Sequence, residues 1–175
     1  MRGDLDRKSL DRFIKAMGSA AREPAKIYFT GGTTAIFYGW RERTVDIDIR
    51  FEPERDELFR AIARLKDELD INIELASPPD FIPPVPGWEE RSVHIVREGK
   101  LDFYHFDPYS QALSKIERGH VQDLADVNAM FNDKLINASR LISLYDSIEP
   151  QLYRYPALSA DKFRASLNAV VADRL

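Results

Sequence analysis

Two short stretches combine residue types that together could handle phosphate and metal. Gly31-Gly32-Thr33 follows a β-rich run, and Asp46-Ile47-Asp48 begins thirteen residues after Thr33. Glycine has no Cβ, so a double-glycine bend lets backbone approach a polyphosphate closely. The first-turn N–H groups of a helix that follows it lack intrahelical partners and attract anions. On an extended strand, residues i and i+2 share a face and lie about 6.5 Å apart. Two carboxylates placed this way can hold one divalent cation, or bridge a pair roughly 3.5–4 Å apart as in two-metal phosphoryl transfer. Oxygen ligands of this hardness select Mg²⁺ or Mn²⁺ over zinc. Each piece also has an ordinary reading, the glycines as a turn and the aspartates as a solvent face. Adjacent like charges on a strand are unfavourable unless a cation offsets them, and the upstream bend tips the balance toward metal binding.

The elements that must position these residues can be read from periodicity. Leu5, Leu10, Phe13, Ile14 and Met17 recur near helical spacing, which predicts an amphipathic helix. Ile27 to Thr30 is a short strand, and Thr33 to about Trp40 a short helix. In TVDIDIRF, Val45, Ile47, Ile49 and Phe51 alternate with Asp46, Asp48 and Arg50. That pattern is a half-buried strand with one charged face carrying both aspartates. Pro53 opens a helix bearing Leu58, Ile62, Leu65 and Leu69, and INIEL supplies another strand. Ser77 to Gly87 holds five of the ten prolines and reads as an irregular loop. SVHIV and LDFYHF, separated by REGK, suit an antiparallel hairpin. Asp107 caps a helix running to Gly119, and helical patterns cover roughly 121–131, 137–152 and 160–174. The predicted architecture is α+β: a small mixed sheet with flanking helices over 1–108, and a C-terminal helical lobe over 109–175 packed on it.

Composition narrows the chemistry further. The 175 residues carry 25 Lys plus Arg against 29 Asp plus Glu, a formal net charge of −4. No global basic field draws such a chain onto nucleic acid, so phosphate binding must be local. There are no cysteines, which excludes disulfides, thiolate nucleophiles and Cys-based zinc sites. The polar N-terminus does not read as a secretory signal, and no apolar run reaches membrane-spanning length. The expectation is a cytoplasmic protein with no membrane partner.

The stretches FTGGTTAIFYGWRERTVDIDIRF and ALSKIERGHVQDLADV resemble motifs of the nucleotidyltransferase superfamily with the DNA polymerase β-like fold. Within it the chain looks most like the small prokaryotic group that includes AbiEii-type toxins of toxin–antitoxin systems. The resemblance implies that Gly31, Gly32 and Thr33 contact nucleotide phosphates and that Asp46 and Asp48 bind Mg²⁺ or Mn²⁺. It also implies a third carboxylate from a later strand, with Asp102 in LDFYHF as the candidate for both the metal and the chemistry and Glu74 in INIEL as the alternative. Lys115 and Arg118 match the downstream basic pair, three apart on one helical face, which would clamp the triphosphate. Asp123 and Asp126 match the acidic positions that support that pair. The implied reaction is attack by an acceptor hydroxyl on the α-phosphorus of a nucleoside triphosphate, with pyrophosphate leaving. Partners so implied are the triphosphate, an RNA or protein acceptor, and an antitoxin protein.

Other readings compete residue by residue. Lys115 and Arg118 equally suit a surface ion-pair network with Glu117, Asp123 and Asp126, each pair contributing less than about 1 kcal/mol. Arg41 and Arg43 suit a contact to phosphate or RNA, or a solvated loop. His94, His105 and His120 fall in different elements without metal-ligand spacing, so structural roles are expected. Phe81, Trp88, Tyr104 and Phe106 suit either core packing or stacking on a base. No Ser-His-Asp set suggests a hydrolase triad. At the level of the whole protein, a nucleotide-binding or interaction module without turnover and a metal-dependent phosphohydrolase stand beside the transferase.

Overall fold

A computed structural model describes residues 2–175. The chain divides into two compact units: one runs through Ser77 and resumes over Ser92–Phe106, the other comprises Pro78–Arg91 and Asp107–Leu175. Pro78–Arg91 therefore belongs with the helical unit, whereas the sequence grouped it with the sheet.

In the first unit the elements are α1 (Arg7–Ala20), β1 (Ala25–Thr30), α2 (Gly31–Phe37), β2 (Asp46–Glu52), α3 (Asp56–Glu68), β3 (Asn72–Glu74), β4 (Val93–Glu98) and β5 (Leu101–His105). The five strands form one mixed sheet in the order β3-β2-β1-β5-β4. β1 runs antiparallel to β2 and parallel to β5; β2 is parallel to β3, and β4 antiparallel to β5.

Alternation fixes which side of this sheet is dry. Ile47, Ile49 and Phe51 of β2 join Ile27 and Phe29 of β1, Ile73 of β3 and Phe103 of β5 in one apolar core with Phe13 and Met17 of α1 and Ile62 and Leu65 of α3. Each fully buried side chain of this size contributes roughly 1.5–3 kcal/mol. The opposite face carries Asp46, Asp48, Arg50 and Glu52, the half-buried positions of β2. α1 starts where Asp6 accepts a hydrogen bond from the Ser9 N–H at 2.9 Å, an N-cap that satisfies a first-turn donor.

The second unit is helical: α4 (Trp88–Arg91), α5 (Pro108–Arg118), α6 (Val121–Asn132), α7 (Ala138–Ile148) and α8 (Ala160–Val171). The predicted start of α5 is observed, and its cap does more than capping. Asp107 is fully buried, accepts from the Tyr109 and Ser110 N–H groups and from the Ser110 hydroxyl at 2.6 Å, and pairs with Arg91 through Nε at 3.0 Å and Nη2 at 2.8 Å. Removing one partner of such a pair leaves a charge buried without its counter-ion. Asp107→Ala is expected to lower the unfolding free energy by about 3 kcal/mol, with an Asp107→Ala/Arg91→Ala double variant costing clearly less than the two singles added. Denaturant titration measures this, and strict additivity would show that the two residues are not coupled.

Candidate functional site

The register of β1 on β2 sets the geometry. Thr30, the last residue of β1, pairs with Asp48, and the chain then turns through Gly31 into α2. Gly31 has φ +62°, and a Cβ built there would lie 2.9 Å from Asp48 Oδ2. A side chain at this position would meet both left-handed strain and the carboxylate. At Gly32 a Cβ would fall 2.3 Å from Thr44 Oγ1 and 3.3 Å from Arg41 Nη1. The bend is thus hemmed by a carboxylate on one side and a hydroxyl and a guanidinium on the other, and only glycines fit.

Asp46 and Asp48 lie on the same half-buried face of β2. Asp46 has no side-chain hydrogen bond or ion pair among the described residues. β3 adds a third carboxylate by register: Glu74 pairs with Asp48, and Asn72 with Asp46, one strand spacing of about 4.8 Å away. In their present rotamers no three Asp, Glu or His side chains converge tightly enough to hold a metal ion among the described residues. The site therefore offers two carboxylates on one face and a third on the neighbouring strand.

Asp102, expected to be that third carboxylate, lies elsewhere. It pairs in register with Lys26, four residues before Thr30 on β1, which is about 13 Å along the strand. Its oxygens are occupied by His94 Nε2 at 3.0 Å and Arg97 Nη1 at 3.1 Å. Both carboxylates sat in plausible strands, but only the pairing order decides which one neighbours Asp48. Thr33 is fully buried and its hydroxyl has no partner, so its side chain does not open onto solvent at the bend. Arg41 beside Gly32 is the functional candidate that the sequence left among loop residues.

Of the other sequence candidates, Tyr104, Phe106 and His105 resolve into packing, whereas Phe81 stays half exposed. Tyr104 stacks on Tyr28 with ring centroids 5.2 Å apart, and Phe106 meets Tyr28 edge-on. His105 is buried, sits 3.0 Å from Thr34 Oγ1 through Nδ1 and contacts the rings of Phe37 and Tyr38. Burial, reinforced by the charge of Arg7, pulls its pKa down to about 4.

Lys115, Arg118, Asp123 and Asp126 lie in the second unit and form a buried network, not the surface pairs that spacing alone allowed. Lys115 Nζ lies 2.7 Å from Asp126 Oδ2 and 3.7 Å from Asp123 Oδ1. Arg118 donates to Asp123 through Nε at 2.8 Å and also through Nη2. Burial alone would raise the Asp123 pKa, but the hydrogen bonds and charge of Arg118, the charge of Lys115 and the His120 N–H together hold it below the usual carboxylate value. Lys115 and both aspartates are almost wholly buried, while the Arg118 side chain is half exposed.

Two outcomes follow. Lys115→Met leaves Asp126 and Asp123 short of a counter-ion in the interior and is expected to cost about 3–5 kcal/mol of stability; a loss under about 1 kcal/mol in chemical unfolding would return the pair to the surface class. For His105, the unfolded chain takes up its proton near pH 6.5 while the folded state does so only near 4. Stability should therefore be unaffected by this group above pH 6.5 and fall as pH drops from 6.5 to 4, by about 3 kcal/mol. His105→Gln should flatten that part of the stability curve, and an unchanged slope would exclude His105 as its source.

No curated protein and no solved structure matches the chain. A family model described as "Nucleotidyltransferase of unknown function (DUF6036)" matches residues 7–170. That span runs from the first residue of α1 to the penultimate residue of α8 and takes in the bend, the carboxylate strand and the buried network. It does not single out AbiEii-type toxins. By a match over nearly its whole length, the chain belongs to this nucleotidyltransferase family.

Proposed function

We infer that the protein transfers a nucleoside monophosphate from a nucleoside triphosphate to an acceptor hydroxyl. The observation that carries this reading is that Asp48 Oδ2 borders the space where a side chain at Gly31 would sit, which joins the bend that can admit phosphate to the strand that can hold metal. Asp46 and Asp48, with Glu74 as the neighbour able to rotate in, would hold Mg²⁺ or Mn²⁺, whose positive charge would neutralise the phosphate oxygens and lower the barrier to displacement. The chain's own contribution is positioning and charge. Gly31 and Gly32 let the backbone approach the phosphates, and Arg41 sets a planar cation at the same bend. The acceptor oxygen bonds to the α-phosphorus as the bond to the β-phosphate oxygen breaks, pyrophosphate departs, and an Asp46 carboxylate oxygen takes the hydroxyl proton.

The motif resemblance implies Lys115 and Arg118 as a triphosphate clamp, but Lys115 is buried against Asp126 and Arg118 is bound to Asp123 within the second unit, so the reading rests on the bend and the carboxylate strand alone. An RNA or protein acceptor, an antitoxin partner and a cytoplasmic setting belong to the same reading. No helix among the described residues is long and apolar enough to cross a membrane. A second reading, a nucleotide-binding module without turnover, is favoured by one observation: three carboxylates do not converge as the side chains stand.

The test is label transfer from each of the four nucleoside triphosphates to cellular RNA and protein, with Mg²⁺ or Mn²⁺ supplied. Activity should fall by at least a thousandfold in Asp48→Asn and Asp46→Asn, about 4 kcal/mol of barrier, and by tenfold or more in Glu74→Gln, while Asp102→Asn stays within a factor of a few. Nucleotide binding by calorimetry without any transfer would favour the module. Loss of activity in Asp102→Asn with Glu74→Gln intact would reverse the assignment of the third carboxylate.

A further inference from the structure

A hollow of about 540 Å³ opens in the first unit beside the end of α1 and along α3, lined by Ala20, Arg22, Glu57, Arg60, Ala61 and Arg64. α1 and α3 cover the Ile47–Ile49–Phe51 face of the sheet, so this hollow lies on the other side of the sheet from Asp46 and Asp48. Three of the lining residues are arginines. Arg64 is paired with Glu68 on the same helix at 3.3 Å, an exposed pair of little strength. The guanidinium groups of Arg22 and Arg60 have no hydrogen bond or ion pair among the described residues. Unpaired arginines side by side repel each other, and their rigid donor forks match the oxygens of a phosphate.

The fourth polar group defines the ligand further. Glu57 has an oxygen, Oε1, that is buried and accepts no hydrogen bond. Leaving such an atom unsatisfied costs roughly 1–3 kcal/mol, and none of the three arginines reaches it. What fits is a ligand that presents anionic oxygens to the guanidinium groups and an O–H or N–H donor to Glu57. The dianionic phosphoryl group of a monoester has no such donor and is repelled by a carboxylate, so the donor must come from the rest of the ligand. Ala20 and Ala61 add short apolar walls where a larger residue would fill the space, and the volume suits a small metabolite.

We propose that this hollow is a binding site for a phosphomonoester that carries hydroxyl donors, of the sugar-phosphate class, held by Arg22, Arg60 and Arg64 and oriented by Glu57. It is independent of the bend and the carboxylate strand, so its failure would leave the transferase reading intact.

Calorimetry on the full chain in the presence of a chelator, with ribose 5-phosphate and inorganic phosphate as probes, tests it. Ribose 5-phosphate should bind at one site at least tenfold more tightly than phosphate. An Arg22→Gln/Arg60→Gln double variant should weaken it tenfold or more. Glu57→Ala should weaken ribose 5-phosphate but strengthen inorganic phosphate, because the acceptor and the negative charge are lost together. An Asp46→Asn/Asp48→Asn variant should bind as the parent does. The proposal is overturned if ribose 5-phosphate shows no saturable binding, if the double arginine variant binds it unchanged, if Glu57→Ala leaves the preference over phosphate as it was, or if the aspartate variant loses it.

Discussion

The antiparallel pairing of Thr30 with Asp48 is the constraint on which the candidate site depends. A slip of one residue between β1 and β2 would turn Asp46 and Asp48 into the apolar core and bring Ile47 and Ile49 out, because strand side chains alternate between faces. Burial of Ile47, Ile49 and Phe51 against Ile27, Phe29 and the helices forbids that slip by several kcal/mol. The chemistry on one face is thus held in place by apolar matter on the other. The turn into α2 then has to pass a carboxylate, and it can do so only where Cβ atoms are missing, at Gly31 and Gly32.

The molecule treats its charges in two contrasting ways. In the second unit, Lys115, Asp123 and Asp126 are almost wholly out of water and the half-exposed Arg118 closes over Asp123, so each buried charge meets its opposite. In the first unit Asp46, Asp48 and Glu74 crowd two neighbouring strands with the same sign, and like charges across a ladder are unfavourable. A balanced buried network is a source of rigidity; a half-exposed row of carboxylates on neighbouring strands is where the proposed function would place a cation. That contrast, more than the presence of aspartates, separates a candidate site from an architectural cluster. It could not be read from sequence, because Asp-x-Asp and Lys-x-x-Arg present the same kind of information on paper.

What was legible followed from periodicity and punctuation. The alternation in VDIDIRF gave the strand and both of its faces, the three-and-four spacing gave α1 and α3, and Asp107 and Gly119 bracketed α5. What was not legible depended on strand order. INIEL and LDFYHF each offered an acidic residue in a short strand, but β5 lies on the far side of β1 while β3 pairs directly with β2, so Glu74 and not Asp102 is the neighbour of Asp48. His105 was equally opaque: its alternation with Leu101 and Phe103 says it faces inward, yet only the fold supplies Thr34, Phe37 and Tyr38 around it. The surface-pair reading of Lys115 failed for the same reason, since helical spacing sets which residues share a face and not what covers that face.

The division into units also bears on what counts as the functional piece. A cut at 108, where the sequence changes from strand-rich to helical, looks like a domain boundary, but neither unit is continuous in sequence. A fragment ending there would carry Pro78–Arg91 without the helices it belongs to; Tyr155, for example, donates its hydroxyl to the carbonyl of Pro79 at 2.9 Å. It would also keep Asp107 and Arg91 as a charged pair while removing nearly all of α5, the helix that Asp107 caps and whose Ser110 hydroxyl it accepts. An ion pair built for the interior, once opened to water, loses most of its strength to screening and hydration. The family match running through both units fits this physical picture, since residues 7–170 take in the Asp107–Arg91 pair and the whole of α5 together.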